Sequence, residues 1–389
     1  MNLQLTEEQL KFQKEIRNFT NEKIMPTADE RDRKDVYPKE IIKEMAKLGY
    51  TSLTVPKKYN GLNRSKIDAS ILMEEVAYGC AATAISLITI YQAETMLMLF
   101  GNEKVKNHYL PLFREGLIAS YSLTESKRGS DIRSVDTKAE KKGRSWIING
   151  KKSFITSGSA AEFFILLAET NKGVSIFAVD WDLPGISTKI GENSQTIGLR
   201  NGPHVDAYFD DVEVPDYCLI GEEGKGVKQA VITLNNSRTA AAAISVGIAR
   251  AAYEQSLEWV SSRIAFDQSV FDFQGIQWMY ADMLMNINAS RLLTYQAAYL
   301  HDIGKASISE SSQAKLFAGQ MATKVCSDAI QVCGAYGTTI NAPFGRYLRD
   351  AKSYEIAGGS NEILKNTIGK EIKKSSQNYI HKSLNKWNI

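Results

Sequence analysis

The sequence predicts an α+β fold in three parts: a helical domain, a β-domain and a second helical domain. Three observations carry this. Apolar residues recur at threes and fours from Thr6 to about Leu110, the spacing drops to two between about Ser120 and Pro215, and helical spacing returns after the glycine-rich GEEGKG at 221–226. Strands segregated in the middle, with no internal repeat, argue against a doubly wound sheet. The expected boundaries are 1–118, 119–222 and 223–389, and a 389-residue chain that is 43% hydrophobic can bury such layers without metal or disulfide staples.

Each part has its own signals. EEQLKFQKEIRNF and PKEIIKEMAKLGY each carry one apolar face, and Thr6 followed by Glu7 and Glu8 marks a helix start. The most apolar segment, Cys80 to Phe100, is interrupted by Gln92 and Glu94, so it reads as a buried helix whose apolar run falls short of a membrane span. In the middle part, SWII and SFIT flank Asn149-Gly150, which predicts a tight hairpin within a small antiparallel barrel or sandwich. EFFILLAE, GVSIFAVD and DAYFDDVEVP supply further strands. The AAAA run at 240–243 predicts close helix packing, and the lysine-bearing tail from Ser375 to Ile389 a solvated, frayed end.

Composition excludes several function classes. Forty-seven basic against 44 acidic residues give a net charge of +3, too balanced for a nucleic-acid or membrane surface. Cys80, Cys218, Cys326 and Cys333 show no CxxC spacing and are expected to be reduced, buried thiols of a cytoplasmic protein. The N-terminus has no basic stretch followed by an apolar one, so no secretory signal is expected. The four histidines are not at ligand spacing, and phosphate-loop, dinucleotide-binding, zinc-protease and serine-hydrolase motifs are absent.

YSLTESKRGSDIRSVDTKAE at 121–140, KKSFITSG at 151–158, IGLRNGPHVDAYFDDVEVP, the GEEGKG-to-ARAA stretch, RIAF with Gln274 beyond it, QVCGAYGTT and YLRDAKSYEIAGGSNEI stand in one order along nearly the whole chain. In that order they resemble the acyl-CoA dehydrogenase family, flavoproteins built as a helical domain, a β-domain and a C-terminal four-helix bundle. The resemblance implies FAD. It places flavin contacts at Tyr121, Leu123, Thr124, Ser130, Phe154, Ile155 and Thr156, with Ser360 and Glu362 near the end of the chain. Arg263, Phe266 and Gln274 match the pyrophosphate and adenine contacts, where a planar, permanently charged guanidinium suits a diphosphate. Gln331, Gly334 and Ala335 match a turn that reaches a neighbouring subunit's flavin, implying a homotetramer or homodimer. Asn235, Ser237 and Arg238, with Gly358 and Gly359, match the thioester end. The implied partners are an acyl-CoA or acyl-carrier-protein substrate and a separate electron acceptor such as an electron-transfer flavoprotein.

One feature of the family is missing. Its members abstract the substrate α-proton with a glutamate, either just before the glycine of the last motif or just before the conserved arginine. Those positions hold Gly358 and Ser237, so the catalytic base is unassigned. Glu355 and Glu362 flank the gap, and Lys127 with Arg128 stand where small residues are usual, a pair able to meet an acidic acyl group or a carrier phosphate. The expected function is oxidation of an acyl thioester. The alternatives are a flavin-bearing lyase, such as a desulfinase, and a non-catalytic thioester-binding scaffold.

Overall fold

A computed structural model describes residues 4–191, 194–305 and 308–387, with side chains described as far as residue 376. The first helix, α1 (Glu7–Phe19), begins where the sequence signals it: Thr6 and Gln9 form a reciprocal cap, each side chain bonding the other's backbone N–H. It continues through a π-helical turn into α2 (Met25–Lys34), followed by α3 (Lys39–Lys47), α4 (Lys66–Gly79), α5 (Ala81–Phe100) and α6 (Glu103–Glu115). At 20 residues and a mean hydropathy of 1.3, α5 is long and apolar enough to cross a membrane, contrary to the sequence estimate of its apolar run. As expected it is buried, packed against α4 and a later helix.

The middle of the chain forms one eight-stranded sheet in the order β6-β7-β3-β2-β4-β5-β8, with β1 paired to β4. The strands are β1 (Ala119–Ser122), β2 (Lys138–Lys142), β3 (Ser145–Ile155), β4 (Phe163–Thr170), β5 (Gly173–Asp180), β6 (Ile186–Lys189), β7 (Val205–Pro215) and β8 (Leu219–Ile220). Pairing is mostly antiparallel, but β1 runs parallel to β4, and β2 also meets β4 in parallel. The hairpin expected at Asn149-Gly150 is not there. β3 runs straight through both residues, and the tight turn lies earlier, at Gly143-Arg144, where Lys142 pairs with Ser145. Gly150 instead sits at a register shift against β7, where an added Cβ would lie 2.6 Å from Thr137 Cα. Glycine is required there for close backbone approach, not for a turn.

Helices return with α7 (Gly226–Ser262), the short ribbon β9 (Ile264–Ala265) and β10 (Gln268–Ser269), then α8 (Gln274–Asp302), α9 (Ile308–Cys333), α10 (Phe344–Tyr354) and α11 (Asn361–Trp387). The long helices α7, α8 and α9 pack on one another and α11 packs on α9, and Ala240 to Ala243 are all buried. The tail expected to fray stays helical as far as Trp387; its last two residues lie outside the described residues. All four cysteines are free and buried.

A buried ionic network ties the N-terminal helices to the bundle. Arg250 on α7 donates to both oxygens of Glu75 on α4 at 2.9 and 2.7 Å, and Arg17 on α1 binds Glu75 as well. Arg291 on α8 holds the neighbouring Glu74 at 3.0 Å. Burial alone would raise the Glu75 pKa, but the two guanidinium groups more than offset it and hold the carboxyl below its usual range.

Candidate active site

A cavity of about 680 Å³ lies where the β-domain meets α5, α7 and the α10–α11 connection. One wall comes from the β-domain: Tyr121, Leu123, Thr124, Gly129 and Ser130, with Phe154 and Thr156 from the end of β3. The loop carrying Gly129 and Ser130 is fixed from beneath. Glu125, buried, accepts from the backbone N–H groups of Asp136 (2.6 Å) and Thr137 (3.0 Å), the Thr137 hydroxyl (2.7 Å) and buried Lys152 (2.7 Å). Phe154 adopts a left-handed φ of 55° and lies half exposed at the rim.

The facing wall is helical. Ile85, Ile88, Thr89 and Gln92, at helical spacing on α5, face Val231, Leu234, Ser237, Arg238 and Ala241 on α7. The floor is the turn after α10, with Tyr354, Ala357, Gly358, Gly359 and Ser360. The loop from Thr196 to Leu199 closes one side. It is pinned to α10 by the Leu199 N–H donating to Asp350 Oδ1 (2.6 Å) and Arg349 donating to the Ile197 carbonyl (2.6 Å). Burial raises Asp350 to about 6 against the opposing pull of Arg346 and that N–H.

Most of the expected residues meet here. Of the flavin set, Tyr121, Leu123, Thr124, Ser130, Phe154, Thr156 and Ser360 line the cavity, while Ile155 points into the protein and Glu362 stays outside, exposed. Of the thioester set, Ser237, Arg238, Gly358 and Gly359 line it; Asn235 is buried beneath, accepting from Arg238 at 3.2 Å. Arg263, Phe266, Gln274, Gln331, Gly334 and Ala335 do not line it and are exposed on this chain, Phe266 at 90%. Lys127 and Arg128 are also absent from the lining.

Sequence reasoning missed the α5 face and the 196–199 loop. Gln92, a polar side chain inside an apolar run, was one available signal; the loop's own signal was the start of the IGLRNGPHVDAYFDDVEVP motif at Ile197, to which no site role was given. It also missed His204, whose Nε2 lies 3.1 Å from Thr156 Oγ1 at the cavity wall. Burial depresses the His204 pKa, opposed by Asp35, so the ring is held neutral against that hydroxyl.

Among the described residues no aspartate or glutamate lines the cavity. Glu355 is engaged by Lys352 (3.1 Å) and Asn361 (3.2 Å). Glu94, fully buried with neither oxygen hydrogen-bonded, sits two residues from Gln92 and so faces away around the helix. Burial pushes its carboxyl well above the usual range despite the charge of Lys66. Ser237 is not a free base either: its hydroxyl donates to the Leu234 carbonyl (2.9 Å) and accepts from Gln92 (3.2 Å). At Gly358 a Cβ would meet nothing within 4 Å, so that position is open space.

The cavity suits a flat, polar-edged ring. Thr124, Ser130 and Thr156 belong to one wall and the apolar Ile85, Ile88, Val231 and Leu234 to the other, and the volume is within the range of cofactor sites.

Comparison with known proteins gives the same reading. Three family profiles match in succession: acyl-CoA dehydrogenase N-terminal domain at residues 6–116, middle domain at 120–212 and C-terminal domain at 224–373. An acyl-CoA dehydrogenase of Bacillus subtilis is 35% identical over 377 residues, covering 95% of this chain and 99% of its own. A chain from the solved structure described as the electron transferring flavoprotein of Acidaminococcus fermentans superposes with a TM-score of 0.93 at 32% identity, over 96% of this chain and 99% of that one. The prolyl acyl carrier protein oxidase AnaB superposes at 0.90 and 26% identity, over 95% and 100%. With three successive domain matches covering nearly the whole chain, the chain belongs to the acyl-CoA dehydrogenase family and is an FAD-dependent oxidoreductase of acyl thioesters.

Proposed function

We propose that this enzyme oxidises a small or polar acyl thioester, carried by CoA or by an acyl-carrier protein, without a resident glutamate as base. The observation that carries the reading is a single cavity in which a flavin wall faces Ser237, Arg238 and the Gly358-Gly359 turn, with no carboxylate among its described lining residues. FAD, when bound, supplies the acceptor for two electrons. Tyr121, Leu123, Thr124, Ser130, Phe154, Thr156 and Ser360 would hold its ring end, with Ile155 backing the wall from inside; Glu362, outside the cavity, would reach it only after movement of its turn. Arg263, Phe266, Gln274, Gln331, Gly334 and Ala335 would serve the adenine-diphosphate end across a subunit contact.

The chain's own residues bind and orient. The α5 and α7 faces exclude water from the acyl group, Gln92 and Ser237 present a fixed polar pair, and the glycine turn leaves room for a substituted α-carbon. With no carboxylate among the described lining residues to take it, the substrate's α-proton must be acidic enough to pass to water. This favours an activated acyl group over a plain alkyl one.

Exposed apolar residues Trp278, Met285, Leu292 and Tyr299 recur at sevens along α8, which supports assembly as a homotetramer or homodimer. An electron-transfer flavoprotein as acceptor and a cytoplasmic location complete the proposal. The test is an anaerobic titration of the purified yellow protein with acyl-CoA and acyl-carrier-protein thioesters. Lasting loss of the visible flavin band is expected with an activated thioester. Release of an acyl fragment without lasting bleaching would replace oxidation by lyase chemistry, and neither response would leave only a binding scaffold.

A further inference from the structure

We propose that Arg238 forms an anion subsite at the floor of the cavity that takes the free carboxylate of a carboxyacyl thioester. This rests on the thioester reading above and narrows it to a substrate class.

Arg238 is 6% exposed and lines the cavity. Its hydrogen bonds go to neutral groups: Nη1 donates to Asn235 Oδ1 at 3.2 Å and to Ser312 Oγ at 3.0 Å. Its Nε has no partner. Among the described residues no carboxylate oxygen lies within ion-pair distance of it, although burial alone draws the guanidinium pKa down to about 10. Behind it stands a second buried cation. Lys315 is fully buried and donates to the Gly359 carbonyl at 2.7 Å; burial, and then the charge of Arg238, draw it down to about 8. Glu355 and Glu362 act on Lys315 only from a distance.

Two adjacent buried cations without a bonded anion are costly, because desolvation is offset only by a close counter-charge. The approach is open from the cavity side. A Cβ at Gly359 would come within 3.6 Å of Arg238 Nη2, and one at Gly358 would meet nothing. The guanidinium thus lies against the glycine turn, and both border the same cavity. The other lining cation, Lys352, is already neutralised by Glu355 at 3.1 Å. Arg238 is therefore the charged group left for a ligand, and a planar fork of donors matches a carboxylate.

The experiment uses the flavin-loaded protein and matched thioesters in which a methyl replaces the carboxylate: methylmalonyl-CoA against isobutyryl-CoA, and succinyl-CoA against butyryl-CoA, with free CoA as reference. Isothermal titration is expected to give at least one carboxylated member binding tenfold or more tighter than its methyl partner. In Arg238→Gln that ratio should collapse toward one, and in Arg238→Lys part of it should return. Equal binding within both pairs by the unsubstituted protein overturns the proposal even if the variants fail to fold, as does a ratio that survives in Arg238→Gln. Butyryl-CoA binding without any carboxylate preference sinks this inference alone. Failure of every thioester and of free CoA to bind sinks the thioester reading with it.

Discussion

Ser237 and Gly358 stand at the two positions where the resemblance would put the family's base, and they differ in what they could accept. Gly358 has a φ of 73°, a conformation that costs an L-residue roughly 1 kcal/mol or more, so a side chain there would have room but a strained backbone. Ser237 sits on a regular helix, lines the cavity and is bonded to Gln92. Ser237→Glu is therefore the better restoration: oxidation of a plain substrate such as butyryl-CoA, followed by artificial-dye reduction, should rise at least tenfold. No rise would mean that more than an acid is missing. The sequence offers both positions as candidates because each lies inside a motif read in order. It did not expose Gln92 as Ser237's partner, because a contact across 145 residues leaves no local signal.

At the scale of elements, the alternation of helical and two-residue periods was readable where an element buries one face, as α6 and β7 do. What misled was glycine at 150, whose Asn-Gly pair has the chemistry of a turn but serves a long-range approach to Thr137. The ties between elements were also invisible, since they join α1, α4, α7 and α8 through Glu74 and Glu75. Removing Glu75 leaves buried Arg250 with Glu74 at 2.8 Å as its one close counter-charge and Arg17 with Glu254 at 3.9 Å, so Glu75→Gln is expected to lower stability by about 1–3 kcal/mol, read from urea unfolding midpoints.

A second element-scale expectation concerns pH. At the C-terminal end of α8, burial and then the charge of Lys66 push His301 down to about 4. The unfolded chain takes that proton first, near pH 6.5. The stability it contributes is therefore full above about pH 6.5 and is lost as pH falls through the range down to about 4. The unfolding midpoint should drop across that window, and His301→Gln should flatten the drop. An unchanged slope would place the acid sensitivity elsewhere.

For the molecule as a whole, the cavity gathers most of the residues proposed for the ring end of the cofactor and none of those proposed for its adenine-diphosphate end. Phe266, Arg263 and Gln274 stand exposed, as does the α8 stripe. If assembly brings the two together, the double substitution Trp278→Glu and Met285→Glu should yield smaller particles by light scattering that retain less FAD after gel filtration. Smaller particles with full FAD would mean that the cofactor site needs no neighbour.

The central claim is that this cleft stacks a flavin ring against an acyl thioester with no protein carboxylate at the reacting carbon. A crystal structure of the FAD-loaded protein with a non-oxidisable carboxyacyl thioester analogue tests it most directly. The predicted result is the ring along Thr124, Ser130 and Thr156, the acyl carbon over Gly358, and the ligand carboxylate on Arg238. An aspartate or glutamate oxygen within hydrogen-bond reach of the α-carbon, or a cleft filled by side chains where the ring should lie, would contradict it.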